Sequence, residues 1–243
     1  MKQITRVKTE IKGLDKMLKG GFLRGRNVLL SGPAGTGKTT IAMQFVYNGA
    51  MKHNEPGLYV TLEENQEKIY EDMAKFGLDL KKAEKKRKFF LIGGPIASIT
   101  SYMDNVDAKV NHIIKEIEEV IKEKKIKRVA IDSINLFTML LKDAKERRTA
   151  LAALSNMLSS CGCTSILTSE TKEGSMDLSR YGMEEFVVDG VLVLYLQRQG
   201  EQFMPGIVVR KMRGTDHEKG IKLYRITNKG VVVYPEETMF TNI

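Results

Sequence analysis

The chain has 243 residues, 42% of them hydrophobic, and a formal net charge of +9. Those values exclude a disordered chain and support a well-filled core in one large domain. The only two cysteines, Cys161 and Cys163, sit in a Cys-Gly-Cys run unsuited to a structural disulfide. No apolar run approaches the ~20 residues that span a bilayer and no signal-peptide pattern is present, so a protein of a reducing cytoplasm with no membrane partner is expected.

In chain order, Asn27–Gly32 reads as a buried strand that runs into a glycine-rich loop and then a helix with Ile41, Phe45 and Val46 on one face. Gly57–Glu64 is a second strand, ending in Glu63 and Glu64. Asn65–Leu80 is a helix with Ile69, Met73 and Phe76 at helical spacing, stopped at Gly77. Arg87–Gly93 is a third strand. From Met103 to Lys124, Val106, Val110, Ile113, Ile117 and Val120 recur every three or four residues and predict a long amphipathic helix. Lys127–Ser133 is a fourth strand, Glu146–Ser160 a helix, and Cys163–Glu170 a fifth strand. Strands apolar on both faces that alternate with helices predict an α/β fold built on a mostly parallel, doubly covered sheet. The tail changes to closely spaced strands with glycine-containing turns, which predicts closing antiparallel hairpins. The basic excess is clumped in Lys81–Lys88 and Lys122–Arg128, and two readings stand: a solvated face beside strands, or a nucleic-acid or polyanion surface.

The chemistry centres on Gly32, Pro33, Ala34, Gly35, Thr36, Gly37, Lys38 and Thr39, followed by Thr40, a match to G-x-x-x-x-G-K-[ST]. Glycines turn backbone N–H groups inward to cradle phosphate oxygens, and the helix that starts here points its positive dipole end at the anion. Lys38 supplies a point charge to the β- and γ-phosphates, and Thr39 offers a hydroxyl to Mg²⁺. A nucleoside triphosphate with magnesium is the expected ligand, ATP and Mg²⁺. Hydrolysis needs a second acid near the metal and a group that orients water. Asp132 ends an apolar strand, the usual Walker B arrangement. A parallel sheet delivers strand C-termini to one rim, where Asp132, Glu63 and Glu64 can converge on the phosphates. Glu63 or Glu64 polarises the water, and Glu63 is also a candidate metal group. Thr168, Ser169 and Glu170 end on the same rim as candidate γ-phosphate sensors.

A glutamate pair on the strand after the Walker A helix, then a distant Walker B aspartate, resembles the order of the RecA-like P-loop ATPases. More specifically the chain resembles the KaiC-like family in its one-domain, archaeal-type form, almost end to end. Gly13–Gly25 is similar to the family's lead-in to the phosphate loop. Leu58–Asn65 is similar to its catalytic-glutamate strand, and Lys75–Leu80 to the helix end after it. Thr168–Leu194 and Arg210–Thr227 match its two long C-terminal segments. The likeness departs at Glu10, where the family usually has Gly, which leaves the conformation of that turn open.

The resemblance implies a RecA-like ATPase in a homo-oligomeric ring, usually a hexamer, with ATP between subunits. Lys211 and Arg213, flanking Met212, would reach the neighbour's γ-phosphate. Thr215 and His217 would help hold that nucleotide, and Thr227 and Asn228 stand where the family contacts the base. Glu185 and Phe186 replace the phosphorylated Ser-Thr pair of the family's autokinase domains, so autokinase activity is not expected. A regulatory ATPase acting on an unidentified protein partner is the first functional expectation. The alternative is a DNA-repair recombinase paralogue that binds nucleic acid under ATP control.

Overall fold

The computed structural model describes residues 5–94, 106–174 and 177–239, without the side chains of 106–109, 136 and 137. Short strands β1 (Arg6–Val7) and β2 (Phe22–Leu23) pair with each other around helix α1 (Leu14–Met17). They lead into β3 (Asn27–Gly32), α2 (Lys38–Lys52), β4 (Gly57–Thr61), α3 (Gln66–Lys75), α4 (Leu80–Lys85) and β5 (Phe89–Gly93). Then come α5 (Val106–Lys124), β6 (Arg128–Asp132), α6 (Ile134–Met139), α7 (Ala144–Ser160), β7 (Thr164–Glu170) and α8 (Glu184–Val187). The chain closes with β8 (Gly190–Gln199), β9 (Gln202–Met212), β10 (Lys222–Thr227) and β11 (Gly230–Thr238). Met103, where the sequence places the start of the long helix, lies outside the described residues.

The main sheet has nine strands in the order β11-β10-β9-β8-β3-β7-β6-β4-β5. From β8 to β5 every pairing is parallel. This is the RecA-like fold, a mostly parallel sheet that ends in antiparallel strands. Each central strand sends alternate residues into two cores, as a period of two requires. Val28, Leu30, Tyr59, Ala130 and Ile166 join Ile41, Phe45 and Val46 of α2 on one face. Leu29, Leu58, Val60, Val129, Ile131 and Leu167 join Val110, Ile113 and Ile117 of α5 and Leu151, Leu154 and Leu158 of α7 on the other. Each such fully buried aliphatic or aromatic side chain is worth about 1.5–3 kcal/mol.

Four expectations are corrected. The second strand stops at Thr61, not Glu64: the Thr61 hydroxyl accepts from the amides of Glu63 (3.4 Å) and Glu64 (3.1 Å), which turns the backbone out of the sheet. The helix read over Asn65–Leu80 covers only Gln66–Lys75 and stops before Gly77 as read, and a separate helix α4 begins at Leu80, where Leu80 and Ala83 give the lysine run a buried face. Strand β8 is not wholly part of the antiparallel tail, because it pairs in parallel with β3 while forming a hairpin with β9. Arg128, the last member of a supposed surface run, is 1% exposed and bonded to Glu55 at 2.7 Å.

Candidate nucleotide-binding site

β3 delivers Gly32 to the C-terminal rim of the sheet, and α2 departs from it. Helices α3, α4 and α7 start under side-chain caps from Asn65, Asp79 and Asp143. Helix α2 starts at Gly37 with no side-chain cap, so its first amides are left for an anion. Gly37 has φ 83, a left-handed conformation that favours glycine. Lys38 Nζ donates to the carbonyls of Gly32 (2.9 Å) and Pro33 (2.8 Å), which curls the loop around its ammonium. Burial pushes the Lys38 pKa below the usual lysine value, against the opposing charges of Glu170, Asp132 and Glu63.

Asp132, at the end of β6, gathers three hydroxyls. Thr39 Oγ1 and Tyr59 OH each donate to its Oδ2 at 2.6 Å, and Thr168 Oγ1 donates to its Oδ1. Tyr59 is fully buried, and burial with the Asp132 charge raises its phenol well above the usual value, so it stays a donor. Thr39 and Asp132 are an all-oxygen pair. Mg²⁺ commonly takes one or two protein oxygens beside substrate phosphates and water, so the pair fits that ion. Among the described residues no cluster of His, Cys, Asp or Glu could cage a metal without a substrate. Beside this pair, Glu63 Oε1 accepts from Ser133 Oγ at 2.9 Å. Glu64 is half-buried, and desolvation, with the nearby Asp132 charge, lifts its pKa above the usual carboxylate value.

The C-terminal hairpin closes over the same loop. Tyr224 OH donates to Thr36 O at 2.6 Å, and Gln44 of α2 accepts from Val231 N at 2.8 Å. Gly230, with φ 84, lies so close to Gln44 that a Cβ would fall 2.4 Å from its Cδ. Thr227 and Asn228 at the hairpin tip therefore stand beside their own phosphate loop.

Lys211, Met212 and Arg213 lie on the opposite rim. Arg213 N donates to Asp189 O (2.9 Å), and Asp189 N donates to Asn27 O (2.9 Å) at the start of β3. The run of β3 from Asn27 to Gly32 separates the rims by roughly 16 Å at ~3.3 Å per residue. Lys211 Nζ is held by the carbonyls of Glu185 and Val188, each at 2.7 Å, whereas the Arg213 side chain is exposed. Thr215 bonds to Arg6, and His217 Nδ1 faces Glu218 O at 3.0 Å. Met212 packs into the core.

Sequence reasoning passed over Tyr59, Gln44 and Tyr224. Tyr59 carried one signal: it is the lone polar-tipped side chain among the apolar residues Leu58 and Val60, spaced to share the face of Thr61.

Phosphate loop, Walker B aspartate and parallel sheet together define a RecA-like P-loop nucleotide-binding protein. The family model described as "ATPase: KaiC" matches residues 7–238, and the chain belongs to that family. The UPF0273 protein MJ1359 of Methanocaldococcus jannaschii is 35% identical over 240 residues, 96% of this chain and 98% of that protein. The circadian clock oscillator protein KaiC of Parathermosynechococcus lividus is 36% identical over 236 residues, 97% of this chain but 43% of the clock protein. The chain thus spans less than half of that relative. Among solved structures, the KaiC-like protein PH0186 of Pyrococcus horikoshii OT3 aligns with a TM-score of 0.85 at 39% identity, covering 96% of this chain and 100% of that one. No helix among the described residues is long and apolar enough to cross a membrane.

Proposed function

We propose that the chain, acting as one domain over residues 1–243, is an ATP-binding, Mg²⁺-dependent ATPase. Its active site is completed between neighbouring copies in a closed ring, a hexamer, and it regulates a protein partner in the cytoplasm. The reading rests on the division of its nucleotide residues between two rims. Lys38, Thr39, Asp132, Glu63 and Thr227 stand at one, and Arg213 at the other. A head-to-tail contact joins such rims, and it closes into a ring if the rotation allows.

Within this reading the loop amides and Lys38 bind the β- and γ-phosphates. Bound Mg²⁺ would supply positive charge against the phosphates. Thr39 and Asp132 would hold it, with Tyr59 and Thr168 fixing the Asp132 carboxylate. Glu63, held by Ser133, orients a water and accepts its proton as the water oxygen bonds to the γ-phosphorus and the bond to the bridging oxygen breaks. Arg213 of the next copy meets the charge that spreads over the γ-phosphoryl oxygens. Glu185 and Phe186 offer no hydroxyl, so radiolabel from γ-labelled ATP is expected to be absent from the 185–189 peptide.

Light scattering of the purified chain tests assembly with ATP and Mg²⁺, with ADP, and without nucleotide, alongside phosphate release and a parallel run with DNA. A nucleotide-stabilised multimer with Mg²⁺-dependent turnover supports the proposal. A monomer that turns over ATP at the same specific rate at every dilution overturns the shared site. A salt-sensitive DNA complex would instead favour the recombinase reading.

A further inference from the structure

Asp132 is occupied by three hydroxyls and Glu63 by Ser133, whereas the carboxylates of Glu64 and Glu170 make no hydrogen bond among the described residues, and of these two it is Glu170 whose charge acts on Lys38. Glu170 is the last residue of β7 and the register partner of Gly32 across the β3–β7 pair. The Gly32 carbonyl accepts both from Lys38 Nζ (2.9 Å) and from Thr171 N (3.1 Å), so Glu170 is anchored next to the lysine that faces the γ-phosphate. Asn135 fixes its backbone from both sides, accepting from Glu170 N (3.0 Å) and donating to Glu170 O (3.2 Å). The side chain is exposed, and its carboxylate has no hydrogen bond or ion pair among the described residues. Of the carboxylates that act on the Lys38 charge, Glu170 acts most strongly, ahead of Asp132 and Glu63.

We propose that Glu170 sets the discrimination between ATP and ADP: its carboxylate is the counter-charge of Lys38 in the empty loop and opposes the γ-phosphate when ATP arrives. The inference rests on the reading of this loop as a nucleotide site. ADP brings only its β-phosphate to Lys38 and lacks the γ-phosphoryl group, so it meets less of the repulsion. A rigid backbone and a free carboxylate suit this role, because the charge stays beside the lysine without being committed to another partner.

The test is equilibrium binding of a non-hydrolysable ATP analogue and of ADP, each with Mg²⁺, to the full chain and to Glu170→Gln. For a carboxylate and a γ-phosphate about 10 Å apart at an effective dielectric near 20, removing one charge gives about a tenfold gain in triphosphate affinity. ADP affinity should stay near the parent value. Glu170→Asp keeps the charge and should keep the parental ratio, and added salt should shrink the Gln effect. An unchanged triphosphate-to-diphosphate ratio in Glu170→Gln, or an equal shift for both nucleotides, overturns the inference and leaves the ATPase reading standing. Failure of the parent chain to bind either nucleotide overturns both.

Discussion

Tyr59 donates its hydroxyl to Asp132 Oδ2 at 2.6 Å from inside the sheet, sharing that oxygen with Thr39. The phenol is completely buried, so the bond forms without competing water. It holds the carboxylate together with Thr39 on the same oxygen and Thr168 on the other. Tyr59→Phe keeps the ring and deletes the donor. A hydrogen bond to a charged group contributes about 1.5–3 kcal/mol. The variant should lose stability on that scale in urea, and its turnover should need more Mg²⁺ for half-saturation. Parental stability and parental Mg²⁺ dependence together would show that Asp132 needs no support from β4.

The two glutamates after β4 differ in their surroundings. Ser133 holds Glu63, and the Glu63 charge is felt at Lys38. Burial and the Asp132 charge raise the Glu64 pKa. Glu63→Gln should therefore lower turnover by ~10²-fold or more, the scale of a lost general base, with ATP affinity within a few-fold. Glu64→Gln should cost less. Because a raised pKa means protonation begins at higher pH, any acid limb due to Glu64 starts above the ordinary carboxylate range and disappears in Glu64→Gln. Equal losses in the two single variants, measured by phosphate release, would remove the distinction.

On the opposite rim Arg128 Nε and the guanidinium reach Glu55 at 2.7 Å, and Arg128 also donates to Lys8 O and Phe45 O. Burial alone would raise the Glu55 pKa, but the bonds and charges of Arg24 and Arg128 outweigh it and leave it lowered. A depressed acid contributes stability that is present above its unfolded pKa and lost as pH falls through its folded value. Glu55→Gln leaves Arg128 buried without its counter-ion, which costs about 3–5 kcal/mol. Urea denaturation at neutral pH should show that loss. The gap between variant and parent should narrow in acid below the folded pKa, and a gap independent of pH would contradict the argument.

The parallel sheet was legible because its strands are apolar on both faces, as Val28 and Leu29 show by entering opposite cores. The phosphate loop was legible because its chemistry needs fixed residue types at fixed spacing. The direction of β8 was not, since strand composition is the same whichever way a strand runs; direction depends on a connection that returns from Glu170 to Gly190 at the far rim. Helix α4 was hidden because only Leu80 and Ala83 mark its buried side within a lysine-rich run. Glu10 adopts φ 57, the conformation its usual glycine would take freely. Its amide donates to Asp15 Oδ2 at 3.0 Å and its carboxylate meets His53 at 2.9 Å, contacts that offset a backbone cost of about 1 kcal/mol.

The proposed sharing of the active site makes the strongest demand on the chain. Phosphoryl transfer spreads negative charge over the γ-phosphate oxygens, and an arginine supplied in trans stabilises it by several kcal/mol, 10³–10⁵ in rate. Arg213 is exposed at the end of β9, while its backbone is tied through Asp189 to the start of β3. Its own Lys38 lies past the far end of that strand, beyond the reach of one side chain. Lys211 shares its rim but is held by the Glu185 and Val188 carbonyls, so of these two it is the exposed Arg213 that can cross an interface. Arg213→Ala should lower turnover by at least ~10²-fold with the fold intact, and Lys38→Ala should abolish it by removing the charge on the β- and γ-phosphates. Mixing the two inactive variants pairs, at some interfaces, an intact phosphate loop with an intact arginine, so activity should partly return. Native mass spectrometry establishes that mixed assemblies form. Mixed assemblies that stay inactive would mean that the arginine serves its own chain, and the two rims would then have to close on one another within a single subunit.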